Sequence, residues 1–116
     1  DGDVLVWNTS TPDGVRTTQA AAATLGLLLG LADGTIAASA YGLAQAYGYK
    51  ASGSVINNKT TAIAAGDVLT TVAAQDYLAW SATGTTYAAS LVYAAEAVAT
   101  NSTPAAAAVK VFVRAL

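Results

Sequence analysis

The side chains best suited by type to acid–base chemistry are seven carboxylates: Asp1, Asp3, Asp13, Asp33, Asp67, Asp76 and Glu96. Two carboxylates can cleave a glycosidic bond, one as acid and the other as base or nucleophile. Their setting points elsewhere. Asp1, Asp3, Asp13, Asp33 and Asp67 each adjoin a glycine, and Asp76 opens an apolar run. Aspartate in such places closes turns by accepting backbone N–H bonds. Glu96, the only glutamate, stands in an apolar segment, where a cross-strand pair with Lys110 or Arg114 accounts for it. Histidine and cysteine are absent. That excludes His-based triads, the usual zinc sites and any disulfide framework. The glycine-containing "GLADG" and "GTIAASAYG" lack the GK[ST] of a phosphate loop. The expectation is a non-enzyme with no catalytic residue, no cofactor and no metal.

The aromatic residues suit contact better than catalysis. Tyr41, Tyr47 and Tyr49 lie close enough in sequence to form a sugar-stacking platform, or to pack in a core or interface. Trp7 and Trp80 read as core or interface anchors. Three triplets fit the glycosylation pattern, at Asn8, Asn58 and Asn101. All three fall in expected turns, where asparagine and threonine are common in any case.

Composition narrows the class. Hydrophobic residues make up 54% of the chain, but 29 of them are alanine. Val, Ile, Leu, Phe and Trp together number 28, enough for one modest core. A single domain of this length buries roughly two thirds of its unfolded surface. Charged residues are 10%, against about 25% in ordinary globular domains. The skin is therefore mostly Ala, Thr, Ser, Asn and Gly. Such a chain is expected either to pack beside neighbours or to be a secreted domain with a Thr/Ser-rich surface. The five cations, Arg16, Lys50, Lys59, Lys110 and Arg114, are scattered and the net charge is −2. Binding to nucleic acid or to an anionic membrane surface is not expected, since both need clustered cations. The longest apolar run, Ala20 to Ala32, is too short for a membrane helix of about 20 residues, and it lacks a signal peptide's basic flank. A first residue of aspartate in place of methionine leaves room for upstream sequence.

The elements read as short strands. "DVLVWN" (3–8) alternates and suits a strand covered on both faces. "TSTPDG" turns at Pro12 and Asp13-Gly14, and "VRTTQ" (15–19) alternates again, so residues 3–19 predict a hairpin. Ala20 to Thr24 predicts a short helix or extended turn, followed by a strand in "GLLLGLA" (26–32). In "LAQAYGYKA" (43–51), Leu43, Gln45, Tyr47 and Tyr49 share a face opposite Ala44, Ala46 and Gly48. "SVIN" (54–57) is strand-like and "NNK" (57–59) a tight turn. Further strands are expected in 67–72, 76–82, 91–99 and 108–116. In the last, Val109, Val111 and Val113 face one way and Lys110, Phe112 and Arg114 the other. Short strands at roughly 8–12-residue spacing predict an all-β fold, a small β-barrel or sandwich with at most one or two short helices.

The phrase "GDVL" occurs twice, at Gly2 and at Gly66, and "TIAASAYGL" is a stretched version of "TAIAAGDVL". Each reads as a turn-and-strand unit: a glycine able to take positive φ, an aspartate to close the turn, then β-prone residues. In order along the chain come "GDVLVWN", "GLAQAYGYKAS", "TTAIAAGDVLTT", "YAAEAVAT" and "VKVFVRAL". That series resembles the small β-rich capsid decoration, or cement, proteins of tailed bacteriophages, and it covers most of the chain. The resemblance implies a virion structural protein on the outer surface of the head. It would bridge and reinforce subunits of the major capsid protein, with self-association as a trimer favoured. Two other readings stay open: another virion part (tail, fibre or minor capsid subunit), and a secreted carbohydrate-binding domain using the tyrosines.

Overall fold

The computed structural model describes residues 1–10, 13, 16–19, 28–80, 92–100 and 105–115. Among these there is no helix. The segment 20–24, where a short helix or turn is expected, lies outside the described residues. So do Pro12, Gly14 and the outer ends of several expected strands.

Among the described residues, nine strands form two bodies around one core. β1 (Val4–Trp7), β2 (Thr17–Thr18), β3 (Leu28–Ala32) and β4 (Ala44–Gln45) make a four-stranded sheet in the order β2-β1-β3-β4. β5 (Tyr47–Ile56), β6 (Val68–Thr71), β7 (Leu78–Trp80), β8 (Val92–Ala94) and β9 (Ala107–Arg114) close into a barrel in the order β5-β7-β6-β8-β9. The expected hairpin is present, with Val6 opposite Thr18 and Trp7 opposite Thr17. Val4 and Val6 are buried, as their alternation requires, but Trp7 on the other face is exposed. On that second face Leu5 is half-buried, so the cover expected on both faces of β1 is complete only on the Val4 and Val6 side. Its sheet leaves Trp7 on the side away from the barrel core.

In β9 every second residue points inward: Val109, Val111 and Val113 are buried, while Lys110, Phe112 and Arg114 are exposed. β5 begins with the opposite habit, its outward residues being Tyr47 and Tyr49. The expected strand of 43–51 divides: Ala44–Gln45 become β4 of the first sheet, and the part from Tyr47 runs on through the expected 54–57 strand as β5. Between Lys50 and Gly53 the ladder slips, because Lys50 faces Val111 and Gly53 faces Val109: three steps on β5 match two on β9. This extra residue is a β-bulge, and it inverts the in–out alternation so that Val55 points inward after it. Gly53 sits where a strand would seldom place glycine, because the inward Val111 leaves no room for a side chain.

The N-terminal segment ties sheet to barrel. The Ser54 N–H donates to the Gly2 carbonyl at 3.0 Å, and the Val4 N–H to the Asp76 carbonyl at 2.7 Å. Gly2 N–H donates to Ala32 and Ala32 N–H to Asp3. Between the bodies, the Lys50 side chain is 5% exposed, with Nζ 3.0 Å from Asp1 Oδ1 and 3.2 Å from Asp33 Oδ1.

The expected 91–99 strand is shorter than its alternation suggests. Pairing covers Val92–Ala94, then resumes at one bridge, Val98 with Ile63. That bridge places fully buried Ile63 at one end of the core. Asn57, also buried, holds the same end together. Its amide donates to the carbonyls of Thr61, Val98 and Ala99, each at 3.1 Å, and its Oδ1 accepts the Lys59 N–H.

Candidate functional site

Most of the carboxylates are committed to structure. Asp13 pairs with Arg16, Asp67 with Lys59, Glu96 with Lys110, and Asp1 and Asp33 with Lys50. Glu96 has taken Lys110, one of its two expected partners. Nζ is 3.1 Å from Oε2, and Oε1 accepts the Lys110 N–H at 2.8 Å. These contacts hold the Glu96 carboxyl below its ordinary range, the backbone bond first, and raise Lys110. Asp67 closes its turn as the "AAGD" phrase predicts, accepting the Ala64 N–H at 3.0 Å. That bond, and then Lys59, lower its pKa. Gly2 and Gly66 both have positive φ, +81° and +93°. Among the described residues no three potential metal ligands converge.

Asn8 accepts the Ser10 N–H within its own turn. Asn58 is exposed in the turn after β5, and Asn101 lies outside the described residues. Trp80 is partly buried against the core, with Lys59 Nζ 4.2 Å from its ring centroid.

The three tyrosines weighed either as a sugar-stacking platform or as core or interface packing separate. Tyr41, 92% exposed, lies in the loop before β4 and lines an open groove of about 1110 Å³. The groove runs along β1 and β2 and the 36–41 loop. Leu5, Ile36, Ala37 and Ala38 give it an apolar side, and Asp3 and Asp76 lie at its wall.

Tyr47 and Tyr49 instead stand on the barrel's outer wall. They share the outward face of β5, and register brings β9 and β8 beside them: Tyr49 faces Phe112, Tyr47 faces Arg114, and Phe112 also faces Tyr93 of β8. Tyr47, Tyr49 and Phe112 are 61%, 55% and 36% exposed. Tyr47 and Phe112 are diagonal neighbours whose rings meet edge to face, with centroids 5.5 Å apart and planes at 78°. Arg114 lies 6.0 Å from the Tyr93 ring centroid. The Gln45 amide braces the strand by donating to the carbonyls of Tyr47 and Tyr49.

The sequence pointed to Tyr47 and Tyr49 but not to Phe112 and Tyr93 as their companions. The odd–even alternation of β9 marks Phe112 as outward, yet only the register joins it to β5. Two rings set at 78° make no common flat shelf for a sugar ring. They do make a ridged apolar surface of the kind that enters a protein interface.

Compared with known proteins, the chain matches no protein-family model, no curated protein and no solved structure.

Proposed function

We propose that the protein is a structural binding subunit that decorates the outer surface of a tailed-phage head and reinforces its major capsid protein lattice. The observation that carries this reading is the aromatic face of β5, β8 and β9, exposed on a barrel wall whose chain has little charge to keep such a face in water. Exposed aromatic residues cost solubility and are retained where a partner covers them. The order of sequence phrases, which resembles that of capsid decoration proteins, suggests the kind of partner. Small side chains elsewhere on the surface allow close backbone approach to a lattice. Individual contacts are then weak, and binding gains strength when several are made at once.

The test adds purified protein to undecorated heads and measures occupancy together with the temperature or osmotic shock at which heads break. Stoichiometric binding that raises the breakage threshold is expected, with modest dependence on salt because few ion pairs are available. Isolated capsid protein should bind poorly. Absence of binding, or binding with no change in the threshold, removes the reading.

A further inference from the structure

The groove along β1, β2 and the 36–41 loop takes no part in the contact proposed above, and its walls are shaped in advance. The loop closes at its base, where the Asp33 N–H donates to the Leu43 carbonyl at 2.8 Å. At its tip the Ala40 N–H donates to the Ala37 carbonyl at 3.1 Å, with Ser39 between them at a φ of 62°. Ile36 packs against Gly42, where a Cβ would collide with its side chain. Tyr41 thus stands on an ordered rim with its ring in solvent. The facing wall is the outward side of β1. Asp3, just before the strand, and Leu5 line it, and Trp7, next along the same side, is exposed as well.

The lining holds three carboxylates, Asp3, Asp13 and Asp76, against one cation, Arg16. Arg16 Nε is engaged by Asp13 Oδ2 at 3.1 Å, and Asp3 Oδ2 lies 3.8 Å from the amino group of Asp1. Asp76 is exposed. Acceptor oxygens therefore exceed cations, and an anionic ligand would be repelled. An extended peptide binds best along an open strand edge, and the edge beside this groove, β2, is only two residues long. A sugar chain needs no such edge. The C–H face of a pyranose lies flat on an aromatic ring, and its hydroxyl groups donate to carboxylates.

We infer that this groove binds a neutral oligosaccharide, with one sugar ring on Tyr41, a second on Trp7, and Asp3 and Asp76 accepting from hydroxyl groups between them. The groove is open along its length, which suits a stretch of polymer. On a virion surface such a site would hold the particle against glycan-coated material, but the chemistry does not depend on the decoration reading.

The experiment is affinity electrophoresis of the full chain in native gels containing dextran, xylan, galactomannan or hydroxyethyl cellulose, with anionic polygalacturonate as the contrast. Tyr41→Ala, Asp76→Ala and Trp7→Ala are compared with the parent. Tyr41 and Asp76 are exposed, so the circular dichroism and melting of their variants should match the parent. If Trp7→Ala melts early, those two carry the test. At least one neutral polysaccharide should retard the parent and polygalacturonate should not. Each variant should bind about tenfold more weakly, while Phe112→Ser, on the barrel wall, should bind as the parent does. No retardation by any neutral polysaccharide overturns the inference. So does equal retardation by polygalacturonate, full binding by Tyr41→Ala and Asp76→Ala, or loss of binding in Phe112→Ser. Quenching of tryptophan fluorescence by a mixed peptide digest, with no effect of the polysaccharides, assigns the groove to peptides and overturns it too. Glycan binding by a protein that ignores phage heads would remove the decoration reading and leave this site standing. Head binding without glycan binding would do the reverse.

Discussion

A Cβ on Gly53 would lie 2.6 Å from Cγ2 of Val111. The two residues meet where β5 carries its extra residue, and a side chain there would have to displace Val111. Gly53→Ala should cost about 1–3 kcal/mol through overpacking. Val111→Ala should cost a cavity by itself, but less in the presence of Gly53→Ala, which fills part of the space. Chemical denaturation of the four proteins of this cycle measures the coupling. Strictly additive losses would show that the two side chains do not compete for one volume.

The alternation in β9 gives a sharper contrast. Val111→Asp places a charge with no partner inside the barrel and should abolish folding. Lys110→Ala, one residue away on the outside, should leave the melting temperature nearly unchanged. Equal tolerance of the two would contradict the register of β9 on β5 and β8.

Gly2 and Gly66 occupy the same place in the repeated phrase but differ in surroundings. A Cβ on Gly66 meets nothing within 4 Å, so Gly66→Ala should cost only the strain of positive φ, about 1–2 kcal/mol. A Cβ on Gly2 would overlap the Ser52 carbonyl oxygen, and Gly2→Ala should be clearly worse. Denaturant midpoints rank them, and a reversed ranking would refute the close approach of the N-terminal segment to β5.

Lys50 is buried while its two carboxylates are about half exposed. Replacing both carboxylates, Asp1→Asn with Asp33→Asn, leaves a buried ammonium without a counter-charge. The cost should be about 2 kcal/mol, below that of a fully buried pair because water already reaches the carboxylates. Adding Lys50→Met to the double variant should recover most of the loss. Failure to recover would mean that the carboxylates act by bonds other than the ion pairs, such as those from Gly34 and Ser52 to Asp1.

Acid should destabilise the fold through Asp67 and Glu96. Both pKa values are lowered in the folded state, from 3.8 and 4.5. Their contribution is therefore present above those ordinary values and is lost as pH falls through the lower folded ones. Asp67→Asn and Glu96→Gln should each flatten the acid limb of a stability profile. Lys110 behaves oppositely: its pKa is raised from 10.5, so its contribution is complete below that value and is lost as pH rises through the higher folded one. An acid limb unchanged in both carboxylate variants would remove these bonds from the account.

Much of this was legible along the chain because it depends on near neighbours. The alternation of Val109, Val111 and Val113 against Lys110, Phe112 and Arg114 announces a strand with one buried face. The Gly-Asp pairs announce positive-φ turns, and both glycines adopt them. Spacing and turn residues were enough for an all-β fold. What the sequence did not disclose is how the strands meet. The parallel pairing of β5 with β7, the bulge beside Gly53, and the choice of Lys110 over Arg114 for Glu96 all follow from contacts between residues far apart in the chain. The aromatic face is of the same kind. Its tyrosines were visible as a local cluster, but Tyr41 departed to the groove, and Phe112 and Tyr93 joined from strands more than forty residues away. Local propensity fixes which side of a strand a residue takes. Only the register of packed strands, set by core volume and ladder hydrogen bonds, decides which outward residues become neighbours.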